Sequence, residues 1–120
     1  MLLRSTEGCI LRSDSDDAGE TWCTAYDTGI PNNNSGIDLC RIGNGCLLLA
    51  CNPVRGNWAA RSPLTVFVSR DEGETFDKLA DIETGDGEFS YPSLTYGGGT
   101  AYLSYTWKRQ AIGVAEIVMD

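Results

Sequence analysis

An eight-residue pattern that occurs twice constrains the fold of this chain more than any other feature. Residues 15–22 read SDDAGETW and residues 69–76 read SRDEGETF, so both copies follow Ser-x-Asp-x-Gly-x-Thr-aromatic. The octet suits a tight turn between antiparallel strands, because its aspartate can accept hydrogen bonds from turn amides and its glycine tolerates unusual backbone angles. The aromatic residues, Trp22 and Phe76, are expected to return to an apolar layer. The copies begin 54 residues apart (69 − 15 = 54), a period typical of β-propellers and solenoids.

The composition fits a turn-rich all-β domain and excludes several classes of function. The chain has 120 residues, enough for one modest core, with 14 glycines and no stretch of helical periodicity. Its net charge of −8, from 9 basic and 17 acidic residues, argues against nucleic acid or an anionic membrane as a partner. The absence of histidine excludes His-based catalysis and His-ligated zinc, and we expect no metal and no cofactor.

The five cysteines carry little functional information. They form no CxxC pair, so zinc or redox chemistry is not indicated, and buried thiols acting as small apolar side chains are the ordinary interpretation. The odd number leaves the redox compartment open, and the localisation is unknown. The cysteines are Cys9, Cys23, Cys40, Cys46 and Cys51.

Short apolar segments predict a succession of strands. A GNG turn at 43–45 between two apolar runs is the strongest hairpin signal. Segments 28–36 and 52–63 are predicted to be long loops, because they concentrate proline, asparagine and glycine. The predicted strands are 8–13, 24–27, 37–42, 46–51, 64–69, 78–83, 101–107 and 112–119, with another at the SYPSL segment, 90–94.

The repeated octet resembles the Asp-box, or bacterial neuraminidase repeat (BNR), found on the blades of sialidases and related β-propellers. The flanking sequence is similar, in the same order through almost all 120 residues, to the C-terminal portion of sialidase-like proteins of the BNR-repeat class. The similar segments are LRSTEGCILRSDSDDAGETW, PNNNSGIDLCRIGNGCLLLACNP, RSPLTVFVSRDEGETF, GEFSYPSLTY and YTWKRQAI.

In the resembling family the Asp-box joins the third and fourth strands of a four-stranded blade. On that scheme residues 1–120 form one partial β-propeller of about two to two and a half blades. These are a half blade at 1–30 with two strands, a complete blade at 36–84 and an incomplete blade at 88–120. Because a propeller needs about four blades or more, we expect a fragment or an assembling subunit. Three copies would complete a six-bladed propeller if each half blade joined the last strands of a neighbouring chain.

The resemblance also implies candidate site residues. Sialidases bind the substrate carboxylate with three arginines and use a tyrosine, activated by a glutamate, to attack the anomeric carbon. Arg61, 8 residues before the second octet (69 − 61 = 8), corresponds to the third arginine, and Arg4, 11 before the first (15 − 4 = 11), to the second. Tyr91 corresponds to the nucleophile, although Pro92 differs from the commonest form of its segment. From the residues alone, each arginine would more often be solvated and Tyr91 a packed strand aromatic.

Other parts of a sialidase site are not found. The first arginine, the aspartate acid/base and the activating glutamate would precede Met1, and Thr106 follows Tyr105 where the enzymes often have a Tyr-Glu pair. Glu88 lies near Tyr91, but a separation of three along a regular strand places two side chains on opposite faces. The remaining loop side chains near a pocket mouth are interpreted as exposed: Arg55, Trp58 and Lys108.

Two classes of function follow. The first is a sialidase-like glycoside hydrolase fragment or subunit that recognises a terminal acidic sugar and is inactive as an isolated chain. The alternative is a non-catalytic propeller module that binds a glycan or a protein through the loops at 31–36 and 52–62. The missing acid favours binding, whereas the arginines and Tyr91 favour a hydrolase origin.

Overall fold

The computed structural model describes residues 1–119, which contain ten β-strands. The strands are β1 (Leu2–Leu3), β2 (Cys9–Arg12), β3 (Tyr26–Pro31), β4 (Asp38–Arg41), β5 (Leu47–Cys51), β6 (Leu64–Ser69), β7 (Asp77–Glu83), β8 (Phe89–Gly97), β9 (Thr100–Trp107) and β10 (Ala111–Val118). They form three antiparallel sheets with the orders β1-β2-β3, β4-β5-β6-β7 and β8-β9-β10. The prediction of an all-β chain is confirmed. No helix among residues 1–119 is long and apolar enough to cross a membrane.

The repeated octets form the turns that their sequence predicts. The second octet joins β6 to β7, the third and fourth strands of the middle sheet, and the first joins β2 to β3. In each copy the glycine amide donates to the serine hydroxyl, at 2.9 Å and 2.8 Å respectively, and the threonine amide donates to the aspartate carboxylate, at 2.8 Å and 2.9 Å. Hydrogen bonds from the threonine hydroxyl and amide favour the ionised carboxylate and lower the pKa of both Asp17 and Asp71 to about 2.

The aromatic residues that end the two octets differ in burial. Phe76 packs, partly buried, against the apolar cluster between the first and middle sheets, as predicted. Trp22 is 46% exposed, and its indole N–H donates to the Gly19 carbonyl at 3.0 Å. The prediction that Trp22 returns to an apolar layer is therefore wrong. Phe76 packs against the core that the first sheet helps to form, whereas Trp22 belongs to neither apolar cluster of the described residues.

The first sheet departs from the predicted pair of strands. It contains three strands, because the two-residue strand β1 also pairs with β2. β3 continues to Pro31, although 28–36 is predicted as a loop. The Asp27 carboxylate accepts the Gly29 amide at 2.7 Å, and a register shift accommodates this local turn within the strand. Pro31 is the last residue of the strand, where the absence of its N–H disturbs few of the hydrogen bonds between β2 and β3.

Two apolar cores hold the three sheets together. The larger core lies between the middle sheet and the β8–β10 sheet and includes Leu48, Val66 and Leu103. The smaller core lies between the first and middle sheets and includes Ile10 and Leu49. Successive side chains of β5 point to opposite faces, so its continuous apolar run contributes to both cores. Each fully buried aliphatic side chain contributes about 1.5–3 kcal/mol to this packing.

The cysteines are all free thiols, and three of them are buried. Burial raises the pKa of Cys51 to about 12, which keeps this thiol protonated and unreactive. The interpretation as small apolar side chains is confirmed for the buried ones, Cys9, Cys46 and Cys51, whereas Cys23 is exposed.

A buried polar cluster connects the sheets near one end. Asn52, which follows β5 and is 0% exposed, donates through Nδ2 to the carbonyls of Pro63 at 2.9 Å and Phe89 at 2.8 Å. Its Oδ1 accepts the Ser35 hydroxyl at 3.0 Å. We call this group the Asn52 cluster, with members Asn32, Asn33, Ser35 and Asn52. The predicted NNNSG loop is therefore mostly interior, because its amides and hydroxyl satisfy backbone groups between the sheets.

Candidate functional site

A cavity of about 670 Å³ opens where connections from all three sheets meet. Its wall comes from the β1–β2 and β3–β4 connections, the long β5–β6 loop, the start of β8 and the β9–β10 turn. The volume lies within the range of roughly 300–1,000 Å³ found for small-molecule sites. The charged and aromatic lining residues are Arg4, Trp58, Arg61, Glu88, Tyr91 and Arg109.

The structure brings the three site residues implied by the resemblance to this one cavity. Arg4 lies between β1 and β2, Arg61 lies near the end of the β5–β6 loop, and Tyr91 lies in β8. The guanidinium carbon of Arg61 is 5.1 Å from the centroid of the Tyr91 ring, within the range of a cation–π contact. Arg4, Arg61 and Tyr91 are far apart in sequence, but they lie at the cavity because the three sheets converge there.

An irregularity in β8 presents Tyr91 to the cavity. A register shift between Ser90 and Ser93 interrupts the pairing with β9, and Tyr91 has a φ of +52°. This left-handed backbone is unfavourable for a bulky residue that precedes proline, and such a conformation costs about 1–3 kcal/mol. Gly36 permits the close approach, since a Cβ there would lie 3.4 Å from the Tyr91 Cα. As a result Tyr91 is 58% exposed, and strain of this kind concentrates at functional sites.

Glu88 lies in the same cavity, and the prediction that it points away from Tyr91 is wrong. It precedes β8, which begins at Phe89, and the bulge that follows changes the alternation of side chains. The Glu88 carboxylate accepts two hydrogen bonds from Arg109, one of them at 3.2 Å, and lies 3.2 Å from Nη1 of Arg61. Hydrogen bonding by Arg109, and then the charges of Arg109 and Arg61, lower the pKa of Glu88.

Arg61 retains unused hydrogen-bonding capacity. Its Nη1 is buried and, although it is within ion-pair distance of Glu88, it makes no hydrogen bond of acceptable geometry. The Arg61 side chain as a whole is 24% exposed and lines the cavity, so its guanidinium can donate to an acceptor that enters there. Interaction with the adjacent Arg61 guanidinium, then its positive charge, and then the charge of Arg4 lower the pKa of Tyr91. A lowered pKa increases the fraction of Tyr91 that is present as the phenolate, the more nucleophilic form, at a given pH.

The cavity is positive within an acidic chain. Three guanidinium groups and one carboxylate line it, a balance of +2 (3 − 1 = 2), whereas the whole chain carries −8. A concave site lined by one sign of charge concentrates ligands of the opposite sign. Within residues 1–119, no group of three or more His, Cys, Asp or Glu side chains is placed to hold a metal ion. The arrangement is therefore suited to an anion that accepts hydrogen bonds.

The loop residues interpreted as exposed occupy different surroundings. Trp58 lines the cavity and is 96% exposed. Arg55 is not among the lining residues and donates to the Gly8 carbonyl at 3.3 Å. The Lys108 ammonium lies 4.6 Å from the centroid of the Trp107 ring. Only Trp58 of the three therefore contributes to the candidate site.

Comparison with family models gives one informative match. The model of the BNR repeat-like domain matches residues 1–103. The chain belongs to the BNR repeat-like domain family. Neither the curated proteins nor the solved structures gave a match. The matched range of this BNR domain includes Arg4, Arg61, Glu88 and Tyr91 but ends before Arg109.

Glu88 and Arg109 are the site residues that sequence reasoning missed. The signal that could have found them is the register of the β8–β9 hairpin. Two strands folded about the glycine run at 97–99 pair Phe89 with Trp107, as observed. The residues just outside that pair, Glu88 and Lys108, are therefore brought together. Glu88 accepts the Lys108 amide at 2.7 Å through its carbonyl, and Arg109 follows directly.

Proposed function

We propose that this BNR domain recognises the carboxylate of a terminal acidic sugar and is a sialidase-like fragment or subunit. The observation that carries the proposal is the clustering of three arginines and Tyr91 around one cavity of an otherwise acidic chain. The planar guanidinium fork binds carboxylates in bidentate fashion, which a lysine cannot reproduce. The Arg61 side chain lines the cavity and is 24% exposed, so its guanidinium can donate to such a carboxylate.

Turnover is a separate part of the proposal. Tyr91 is exposed and has a lowered pKa, which favours its action as a nucleophile in sialidase-type retaining hydrolysis. The reaction also needs an acid that protonates the leaving group. Glu88 is the sole carboxylate among the described residues that line the cavity, and Arg61 and Arg109 hold it ionised. We therefore propose that this chain by itself binds the sugar without hydrolysing it.

A non-catalytic module is the second candidate, and the ion pairing of Glu88 favours it. Of the two loops expected to bind a glycan or a protein, 31–36 is the weaker candidate because none of its residues is exposed. The loop at 52–62 reaches the cavity and includes Trp58 and Arg61. In this second candidate the same cavity recognises the ligand, and Tyr91 only binds it.

Isothermal titration calorimetry with N-acetylneuraminic acid tests the recognition step. We expect the wild-type chain to bind, and Arg61→Ala to weaken binding about tenfold to a hundredfold, because a charged hydrogen bond contributes about 1.5–3 kcal/mol. Arg70→Ala is the matched control, since Arg70 is exposed in the second octet and does not line the cavity. The methyl ester of the same sugar lacks the carboxylate charge, so equal affinity for acid and ester would contradict the proposal.

A fluorogenic sialoside tests whether the isolated chain hydrolyses the sugar that it binds. Hydrolysis by the wild-type chain that is lost in Tyr91→Phe would support the hydrolase and contradict binding without turnover. Binding without release of the fluorophore, in both wild type and Tyr91→Phe, is the expected result and agrees with an incomplete hydrolase site and with the non-catalytic module.

Completion of a propeller by further copies of the chain is a proposal of its own. The described residues form three sheets, so two copies of the chain would supply the six sheets of a six-bladed propeller. The sequence predicted only about two blades in each chain, which is why it predicted a trimer. The outer face of the β8–β10 sheet exposes Ile112, Val114 and Val118, as expected of a face that packs against another sheet. Light scattering coupled to size-exclusion chromatography measures the assembly, and the mass of a single 13.0 kDa chain would contradict it.

A further inference from the structure

We infer that Trp58 forms a second sugar-binding position beside the arginines, so that the ligand is an acidic sugar linked to at least one further sugar. The inference rests on the proposed function. Trp58 lines the same cavity as Arg61, three positions away in the chain, and 96% of its surface is exposed. Few residues of its size are left so fully in water, because an aromatic side chain gains most when it is covered.

The loop that carries Trp58 is held from two sides. On one side the Asn57 side chain donates to the Thr6 carbonyl at 3.3 Å. On the other side Asn33 of the Asn52 cluster donates to the Ala59 carbonyl at 3.2 Å and to the next carbonyl at 3.0 Å. Trp58 itself has a φ of +71°, a left-handed conformation that is unfavourable for an aromatic residue. An anchored loop therefore presents the indole in a strained backbone, which is the pattern expected of a binding position.

The chemistry of the surroundings selects the kind of ligand. A pyranose ring has a face of C–H groups that packs on an aromatic plane, while its hydroxyls at the edge remain free for water or polar side chains. Trp58 supplies the plane, and the amide of Asn57 and the guanidinium of Arg61 supply polar groups nearby. A purely apolar ligand would remove these polar groups from water without supplying hydrogen bonds in return. The cavity of about 670 Å³ lies well inside the range of roughly 300–1,000 Å³ for ligand sites and leaves room beyond one sugar bound at the arginines.

Calorimetric titration with two ligands tests the inference: N-acetylneuraminic acid and the trisaccharide in which it is linked to lactose. We expect the wild type to bind the trisaccharide about fivefold to tenfold more tightly than the monosaccharide. Trp58→Ala should abolish this difference between the two ligands, and Trp58→Phe should retain part of it. Trp22→Ala is the matched control, because Trp22 is also exposed but does not line the cavity.

The outcomes separate this inference from the proposed function. Monosaccharide binding with no gain for the trisaccharide would overturn the role of Trp58 and leave recognition by the arginines in place. A gain that persists in Trp58→Ala would overturn it as well. Absence of binding of either sugar to the wild type would overturn the proposed function and this inference together. Because Trp58 makes almost no packing contacts, we expect the alanine variant to have the same urea unfolding midpoint as the wild type. An unchanged midpoint would show that any lost affinity arises at the binding position and not from unfolding.

Discussion

Substitution of Asn52 by alanine is expected to destabilise the BNR domain more than any surface change. The Asn52 side chain is fully buried and makes three hydrogen bonds. Two go from Nδ2 to the carbonyls of Pro63 and Phe89, which belong to the segments entering β6 and β8, and the third comes from Ser35. Its removal therefore affects the contact between the middle and third sheets and the segment that leads into β4.

The size of the effect follows from what is left without a partner. A net hydrogen bond contributes about 0.5–1.5 kcal/mol, and a buried group deprived of its partner costs about 1–3 kcal/mol. The Ser35 hydroxyl keeps a bond to Asn33, so the main loss falls on the two carbonyls, of which that of Phe89 is the more deeply buried. We expect a decrease of about 2–4 kcal/mol in the free energy of unfolding, a large part of the about 5–15 kcal/mol typical of a domain.

Urea unfolding followed by circular dichroism measures this decrease. With an m-value of about 2 kcal/mol/M, in the middle of the usual range, the midpoint should fall by about 1–2 M in Asn52→Ala. Asn44→Ala is the control: Asn44 is exposed and accepts one amide bond, from Cys46 at 3.1 Å, so we expect a loss below about 1 kcal/mol. Asn52→Asp should be at least as damaging as Asn52→Ala, because a carboxylate would face two carbonyls. Midpoints equal to that of the Asn44 variant, at unchanged m, would refute the reasoning.

Three further predictions concern packing, pH and thiol reactivity. In Gly113→Ala the new Cβ overlaps the buried ring of Tyr105, so we expect the free energy of unfolding to fall by about 1–3 kcal/mol in the same urea assay. In Gly97→Ala the new Cβ meets nothing within 4 Å, and we expect a decrease below about 0.5 kcal/mol. The octet aspartates have pKa values of about 2 in the folded chain, below the ordinary 3.8, so their stabilisation is complete above about pH 4 and is lost as the pH falls towards 2. The urea midpoint should fall accordingly, and less in a variant with both replaced by asparagine. Ellman's reagent should label Cys23 in the native chain and Cys51 only after unfolding, and equal rates would contradict the burial of Cys51.

Part of the candidate site was predictable from the sequence. The resemblance placed Arg4, Arg61 and Tyr91 in one site, and they do line one cavity, although their roles in binding and turnover stay predictions. Glu88 was assigned to the wrong face because a period of two assumes a regular strand, and the bulge at Tyr91 is not visible in the pattern. Arg109 lies in the next turn and reaches the cavity only through hairpin register, which no local motif encodes.

The sequence by itself determined the turns and hairpins whose hydrogen bonds join residues only a few positions apart. The two octets form their turns because serine, aspartate, glycine and threonine hydrogen-bond to one another within eight positions, independently of the rest of the chain. The GNG hairpin and the apolar run of β5 are local in the same sense.

Only the tertiary structure decided which of these groups face each other. Two nearly identical octets end with Phe76 partly buried and Trp22 exposed, because burial depends on whether another sheet lies alongside. The asparagine-rich segment 28–36 has the composition of a solvated loop, yet three of its polar residues are interior because Asn52 and distant carbonyls supply their partners. The positive cavity likewise exists only once three sheets converge, since no single stretch of this acidic chain carries more than a part of it. Long-range pairing and packing, rather than residue type, set these outcomes.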